Sequence, residues 1–103
     1  MSAVFEVLAE TNRRRLLDLL REEEQPVGDL VEALAISQPA VSKHLRILRD
    51  AGLVSVRSDG RRRLYQVRPE PLRAVDDWLE PYRAMWETRL DALQAHLADM
   101  PDY

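Results

Sequence analysis

The sequence contains no cysteine, which excludes disulfides, thiolate metal sites and thiol redox sensing. No apolar run approaches the roughly 20 residues that a helix needs to cross a bilayer. Met1-Ser2-Ala3 leads directly into an amphipathic segment, without the pattern of a signal peptide. We therefore expect a cytoplasmic protein that has no contact with a membrane.

The sequence also lacks the patterns of a catalytic site. It has no paired histidines, no glycine-rich phosphate loop and no Ser/His/Asp set at a recognisable spacing. Asp76 and Asp77 are neighbouring carboxylates, but adjacent residues on a helix point about 100° apart, and a solvated face explains them. The 103 residues suffice for one domain with a hydrophobic core, and we expect that the protein is not an enzyme.

The net charge of −3 conceals an uneven distribution of charge along the chain. Residues 1–36 carry four arginines against eight acidic residues, a net charge of −4. Residues 37–68 carry one lysine and seven arginines against two acidic residues, a net charge of +6. Residues 69–103 carry three arginines against eight acidic residues, a net charge of −5. A basic middle between acidic ends predicts that the middle segment meets a polyanion.

Residues 37–52 have the pattern of a short helix with two different faces. Ser37 suits the N-cap, Pro39 lies in the first turn, and Gly52 stands where a left-handed residue ends a helix. One side is apolar, with His44 beside it; we expect this histidine to pack near Leu48 with its polar edge in solvent. The other side is polar and cationic, suited to base edges and phosphates in a major groove. Its members are Gln38, Ser42, Lys43, Arg46 and Arg49.

Three further helices are predicted before this one. Apolar residues recur at helical spacing in residues 27–34, and residues 35–37 form a tight turn into the cationic helix, which together predict a helix-turn-helix. A helix over residues 4–9 and another from Arg13 to about Glu23, capped by Thr11 or Asn12, are expected before it. In the helix from Arg13 to about Glu23, the residues expected to be buried are Leu16, Leu17, Leu19 and Leu20. The Arg13–Arg15 cluster is either a solvated face or a phosphate contact.

A β-hairpin follows the helix-turn-helix. Asp59-Gly60 is a strong signal for a type I′ turn, which would pair residue 58 with 61, 56 with 63 and 54 with 65. Val54, Tyr65 and Val67 would then share the face that packs on the helices. A hairpin in this position makes the fold a winged helix. Three arginines lie at the tip of the hairpin: Arg61, Arg62 and Arg63. They are placed to contact phosphates or a minor groove, or else they only prevent aggregation through the edge of the sheet.

The C-terminal segment carries an apolar stripe with a period of 3.5 to 3.6 residues. Its members are Leu72, Val75, Leu79, Tyr82, Trp86, Leu90, Leu93, Leu97 and Met100. Pro81 predicts a kink or a break, with a new helix beginning near Glu80. The stripe is too long for its own chain to bury, so we expect it to pack on a partner, together with residues 4–8. Trp78, Tyr82, Met85 and Trp86 form either dimer core or a pocket for an apolar molecule.

These segments resemble the ArsR/SmtB family of bacterial winged-helix repressors over about residues 3–68. The resemblance is carried by Val4-Phe5-x-x-Leu8-Ala9-x-x-x-Arg13-Arg14-Arg15-Leu16-Leu17, Ser37-Gln38-Pro39-Ala40-Val41-Ser42-Lys43-His44-Leu45-x-x-Leu48-x-x-Ala51-Gly52-Leu53-Val54 and Gly60-Arg61-Arg62-Arg63-x-Tyr65. It implies a homodimer that binds a palindromic operator in its own promoter region. It also implies that Gln38, Pro39, Ser42 and Lys43 approach the bases and that the wing arginines contact backbone or minor groove.

The resemblance does not extend to metal sensing. Metal-sensing members carry cysteines on the helix matching residues 27–34, or paired ligands on the final helix; this chain has no cysteine there and only His96 on the final helix. A lone histidine beside Asp91 or Asp99 is better interpreted as a surface residue. We therefore expect no metal site and no cofactor, and the sequence identifies no effector.

The combined prediction is a mainly α fold with a small β-hairpin. Residues 1–68 form a winged helix-turn-helix DNA-binding domain, whose first helix also joins the dimer interface, and residues 69–103 form a dimerisation helix or a kinked helix pair. The interface set is Val4, Phe5, Leu8, Leu72, Val75, Leu79, Tyr82, Trp86, Leu90, Leu93 and Leu97. The predicted function is a homodimeric, sequence-specific repressor of its own or a neighbouring operon. The alternative is a protein-interaction module that uses the C-terminal apolar helix.

Overall fold

The computed structural model describes residues 3–99, and within them the fold is mainly helical with a small antiparallel sheet, as predicted. No helix in this part of the chain is long and apolar enough to cross a membrane. The elements in chain order are α1 (Ala3–Leu8), α2 (Thr11–Glu22), β1 (Gln25–Pro26), α3 (Val27–Leu34), α4 (Gln38–Asp50), β2 (Val54–Asp59), β3 (Arg62–Val67), a 3-10 turn (Glu70–Leu72) and α5 (Arg73–Asp99).

The hydrophobic core lies between α2, α3, α4 and the inner face of the sheet. Aliphatic side chains at helical spacing supply it, and removing their apolar surface from water is the main stabilising contribution. The buried cluster comprises Val7, Leu16, Leu17, Leu20, Leu30, Leu34, Val41, Leu45, Leu48, Leu53 and Val54. Leu19, which we expected in the buried set, is half-buried at its edge.

The predicted helix-turn-helix is confirmed in its bounds and in its caps. Helix α3 ends with Ala35 in the left-handed conformation, φ 57°, where its N–H donates to the carbonyl of Val31 at 2.9 Å. The Ser37 hydroxyl caps α4 by accepting from the N–H of Ala40 at 3.3 Å. The short turn thus fixes the direction in which α4 leaves α3.

Gly52 ends α4 as expected, with φ at +78°. Its N–H donates to the carbonyl of Arg49, and the N–H of Leu53 donates to the carbonyl of Leu48, both at 2.9 Å. This pair of bonds is a Schellman motif, and both of its leucines are fully buried. The helix end is therefore stabilised by hydrogen bonds and by packing.

The junction of α1 and α2 differs from the prediction. Neither Thr11 nor Asn12 caps α2: the cap is Glu10, whose carboxylate accepts from the backbone N–H of Arg13 at 3.2 Å. The Arg13 side chain donates to the carbonyl of Val7 at 2.7 Å, and Arg14 donates to that of Leu8 at 2.6 Å. Because the last carbonyls of a helix lack intrahelical partners, these arginines satisfy the end of α1.

The hairpin forms, but its turn lies one residue later than predicted, so each residue of β2 pairs with a residue of β3 two positions further along than expected. Asp59 pairs with Arg62 and Val54 with Val67, so the turn residues are Gly60 and Arg61. Gly60 has φ at +64°, and Ala35 is the only non-glycine residue within 3–99 with a positive φ. A glycine first and an ordinary residue second fits a type II′ turn and not type I′. Val54, Tyr65 and Val67 still share the inner face, because direct partners stay on one side of the sheet.

A third strand, β1, was not predicted. It pairs with β3 through Gln25 opposite Tyr65 and Pro26 opposite Leu64, which gives the strand order β1-β3-β2. The Gln25 side chain also donates to the carbonyl of Leu19 at 2.9 Å. The wing is therefore attached to the segment that joins α2 to α3.

Helix α5 is continuous through Pro81, so of the predicted kink or break, the break with a new helix near Glu80 is wrong, and the kink stays a prediction. A proline inside a helix removes one hydrogen bond and crowds the preceding turn, but the chain is helical on both sides of Pro81. The helix extends away from the core, and the molecule measures 65 Å along its longest axis. Met100, the last member of the predicted stripe, lies outside the described residues.

Candidate nucleic-acid interface

Helix α4 presents opposite faces to the core and to solvent. Val41, Leu45 and Leu48 are at most 1% exposed. The residues predicted to meet DNA are all exposed on the other side: Gln38, Pro39, Ser42, Lys43, Arg46 and Arg49. The same amphipathic pattern that anchors the helix therefore leaves its polar and cationic side chains accessible to a large ligand.

The start of α4 and the tip of the wing lie on one groove. This groove has a volume of about 400 Å³. Gln38 and Ser42 line it from α4, and Arg61, Arg62 and Arg63 line it from the wing. Pro26, Val27 and Tyr65 complete its wall. The fold thus brings together two predicted groups that are 19 or more residues apart in the chain.

A second surface depression, of about 320 Å³, continues along α4. It is lined by Pro39, Ser42, Lys43 and Arg46, so Ser42 belongs to both. Arg49 lines neither depression; it is exposed in the last turn of α4. The predicted residues therefore form one contiguous surface with Arg49 at its far end.

The wing arginines differ in their electrostatic surroundings. Arg62 forms an ion pair with Asp59 at 3.3 Å, and both side chains are more than half exposed. Neither Arg61 nor Arg63 has an ion-pair partner within residues 3–99. Because exposed pairs are weak and screened by salt, all three guanidinium groups remain free to meet phosphates.

His44 lies on the flank of α4, and its environment differs from the prediction. Its side chain is only 16% exposed, and Nε2 lies 3.7 Å from a carboxylate oxygen of Glu10. Nδ1 is buried and has no hydrogen-bond partner among the described residues. The expectation of a solvated polar edge is therefore wrong for Nδ1, because the start of α2 covers this flank.

The groove includes residues that the sequence prediction did not select as site residues. Pro26 ends β1, Val27 begins α3, and Tyr65 lies on β3 opposite Gln25. Their participation depends on the pairing of β1 with β3. A two-residue strand has no periodicity that would reveal this pairing in the sequence.

The predicted interface residues fall into two groups. Val4 is buried within the chain, and the others on α1, in the 3-10 turn and in the first turns of α5 are half-buried: Phe5, Leu8, Leu72, Val75 and Leu79. The remainder of the stripe on α5 is 43–60% exposed: Tyr82, Trp86, Leu90, Leu93 and Leu97. The ring of Phe5 meets Trp78 edge to face with centroids 5.7 Å apart. Helix α1 therefore continues the exposed apolar surface of α5.

Metal ligands are not clustered in the described part of the chain. Within residues 3–99, no group of three or more His, Cys, Asp or Glu side chains is arranged to hold a metal ion. His96 is exposed near the end of α5, where the sequence analysis placed it on the surface.

Comparison with known proteins identifies the class of this chain. A model of the family described as "Bacterial regulatory protein, arsR family" matches residues 10–56. The transcriptional repressor SdpR of Bacillus subtilis is 33% identical over 79 residues, 77% of this chain and 88% of that protein. An HTH-type transcriptional regulator of Mycobacterium tuberculosis is 41% identical over 71 residues, 69% of this chain and 66% of that protein.

Solved structures agree with the sequence relatives. An ArsR-like transcriptional regulator from Rhodococcus sp. RHA1 superposes with a TM-score of 0.73 at 30% identity, covering 96% of this chain and 91% of that one. The winged-helix prediction and the family resemblance are both confirmed, and the interaction-module alternative is not favoured. The chain belongs to the arsR family of bacterial regulatory proteins and is a DNA-binding transcriptional regulator, not an enzyme.

Proposed function

We propose that the protein is a homodimeric repressor that binds a palindromic operator in its own promoter or that of a neighbouring operon. It acts on double-stranded DNA in the cytoplasm. The observation that carries this proposal is the groove where Gln38 and Ser42 of α4 meet the three wing arginines. A helix and a cationic hairpin that open onto one groove suit a major groove and its flanking backbone.

The two sides of this groove have different roles in the proposal. Gln38 and Lys43 hydrogen-bond base edges, since glutamine suits adenine and lysine suits guanine. Pro39 packs against bases and Ser42 contacts a base or a phosphate. The arginines neutralise phosphates, and the wing also enters a minor groove. The arginines assigned to phosphates are Arg46, Arg49, Arg61, Arg62 and Arg63.

The partner on α5 is a second copy of the chain. Its exposed stripe runs from Tyr82 to Leu97, and Trp78 joins it to Phe5 of α1. Large exposed apolar surfaces mark association sites, and two-fold symmetry makes one patch serve both protomers. A symmetric dimer places two α4 helices to read two half-sites, which explains the expectation of a palindrome.

The proposal is tested by binding the purified protein to its own upstream DNA and to a scrambled duplex of equal length. With roughly 6–10 phosphate contacts, we expect affinity for the upstream DNA to fall about 10³- to 10⁵-fold between 50 and 200 mM salt. Preference for the upstream duplex is expected at both salt concentrations. Equal, weak binding to both duplexes, or a flat response to salt, would contradict the proposal.

Dimerisation is tested in parallel by sedimentation equilibrium. Leu93→Glu places a carboxylate on the exposed stripe and is expected to give monomers that lose most of their affinity for the upstream duplex. Ala92→Glu adds the same charge one residue away, on an exposed position off the stripe, and is expected to remain dimeric. If both variants behave alike, the stripe is not the interface.

A further inference from the structure

The ion pair between Glu24 and Arg57 joins the wing to the helical part of the chain. Nε of Arg57 donates to Oε2 of Glu24 at 2.9 Å, and the second guanidinium nitrogen donates to Oε1. This arrangement is a bidentate contact between residues 33 positions apart in the chain. Planar, two-bond pairs of this kind fix direction as well as distance.

The pair spans the central strand of the sheet. Arg57 on β2 lies directly opposite Leu64 on β3, and Leu64 lies opposite Pro26 on β1. Glu24 immediately precedes β1. The contact therefore connects the outermost strand of the wing to the segment that enters α3, across the full width of the sheet.

This connection bears on the groove that holds the candidate DNA contacts. Pro26 and Val27, two and three residues after Glu24, line that groove, while Arg63 lines it from the strand that pairs with β2. Helix α3 begins at Val27 and leads through a tight turn into α4. The Glu24–Arg57 contact thus joins the two sides whose separation determines the groove width.

The pair also changes the charge that the wing presents. The hydrogen bond from Arg57 lowers the pKa of Glu24, and that same bond raises the pKa of Arg57, so both groups stay ionised near neutral pH. Arg62 lowers the pKa of Glu24 further through its positive charge. Because Glu24 neutralises the charge of Arg57, the net positive charge of the hairpin is concentrated at its tip.

We propose that Glu24 and Arg57 are positioning residues that fix the wing against α4 and so set how strongly the protein discriminates its operator from other DNA. This inference rests on the proposed function, since it concerns the same DNA surface. Neither residue needs to touch DNA. When the wing is held rigidly, its arginines reach the phosphates only if α4 has already bound its matching bases. When the wing is mobile, its arginines can contact phosphates on DNA of any sequence.

The test compares Glu24→Gln with Glu23→Gln in the full chain. Glu23 is the exposed neighbour of Glu24 and has no ion-pair partner within residues 3–99, so both variants remove one negative charge from the same region. The loss of a negative charge alone strengthens binding to all DNA equally. Affinities for the upstream and scrambled duplexes are measured for both variants and for the wild type.

For Glu24→Gln we expect the ratio of the affinity for upstream DNA to the affinity for scrambled DNA to fall roughly two- to fivefold. This size corresponds to the strength of a well-formed, solvent-exposed ion pair. The ratio for Glu23→Gln stays at the wild-type value. The combined exchange Glu24→Arg with Arg57→Glu restores the pair with reversed charges and is expected to recover most of the ratio. Equal ratios for the two single glutamine variants would overturn the proposal.

A measurement without DNA separates failure of this inference from failure of the proposed function. Amide hydrogen exchange of β2 and β3 is expected to be faster in Glu24→Gln than in Glu23→Gln, with the α4 amides unchanged. Equal exchange in the two variants would show that the pair does not hold the wing. A wild type without preference for upstream DNA would instead refute the proposed function, whatever the exchange rates.

Discussion

The carboxylate of Glu10 lies 3.7 Å from Nε2 of His44 and also accepts the backbone N–H of Arg13. One side chain thus caps α2 and covers the flank of α4, the helix that carries the proposed base contacts. The adjoining Arg13 side chain holds the carbonyl of Val7 at the end of α1. The α1–α2 junction therefore connects the proposed dimer surface to the proposed DNA surface.

Glu10→Ala is expected to destabilise the protein by about 1 kcal/mol, because it removes the N-cap acceptor of α2. Glu10→Gln retains an oxygen that can accept from Arg13 and should cost less. Urea unfolding of both variants measures the difference. If the two substitutions were equally destabilising, the charge beside His44 rather than the cap would be the important feature.

Ala35→Gly is expected to stabilise the protein by about 0.5 kcal/mol. Ala35 has a left-handed backbone, which costs an L residue about 1–2 kcal/mol, and the greater entropy of glycine in the unfolded chain offsets part of the gain. Ala33→Gly, an exposed position inside α3, provides the matched control and should destabilise by about 1 kcal/mol. Thermal unfolding should therefore show shifts of opposite sign, and shifts of the same sign would contradict this explanation.

Lys43→Ala and Arg62→Ala are expected to impair DNA binding in different ways. Lys43 is assigned to base edges, so its loss should change which sequences are preferred, at a cost of about 1–3 kcal/mol on the best site. Arg62 is assigned to phosphates, so its loss should weaken all sequences similarly and reduce the salt slope by about 1. A panel of single-base operator variants titrated at several salt concentrations distinguishes these outcomes. Equal loss of specificity in both proteins would refute the division of roles.

Acid is expected to weaken the attachment of the wing. Arg57 lowers the pKa of Glu24 in the folded protein, so the pair stabilises the fold above the unfolded-state pKa, and this contribution is lost as pH falls through the lower folded-state value. The difference in unfolding free energy between wild type and Glu24→Gln should stay constant down to about the ordinary glutamate pKa of 4.5 and shrink below it. A difference that grows on acidification would contradict the sign of this linkage.

The helix-turn-helix was predictable from sequence because local features determine it. The apolar spacing of residues 27–34, the Ser37 cap and Gly52 each act within one or two turns of the chain, and each reappears in the structure. The predicted DNA-contact residues were also brought to one surface, since they follow from the polar face of α4 and the tip of the hairpin.

The differences arise where the local signal allows more than one outcome or where distant segments pair. The hairpin turn shifted from Asp59-Gly60 to Gly60-Arg61 because both dipeptides allow a tight turn, and local turn chemistry does not choose between them. The strand β1 became visible only through its partners on β3. Glutamate is an uncommon N-cap, so the sequence favoured Thr11 or Asn12 over Glu10. Pro81 predicted a kink or a break, yet the chain keeps one helix.

In the proposed complex, two copies of α4 and two wings bind one operator together. Hydroxyl-radical footprinting of the wild-type protein on its upstream DNA tests this arrangement. We expect two protected segments related by two-fold symmetry, with centres about 10 base pairs apart or a multiple of that distance. A single asymmetric protected segment, or uniform protection without boundaries, would contradict it.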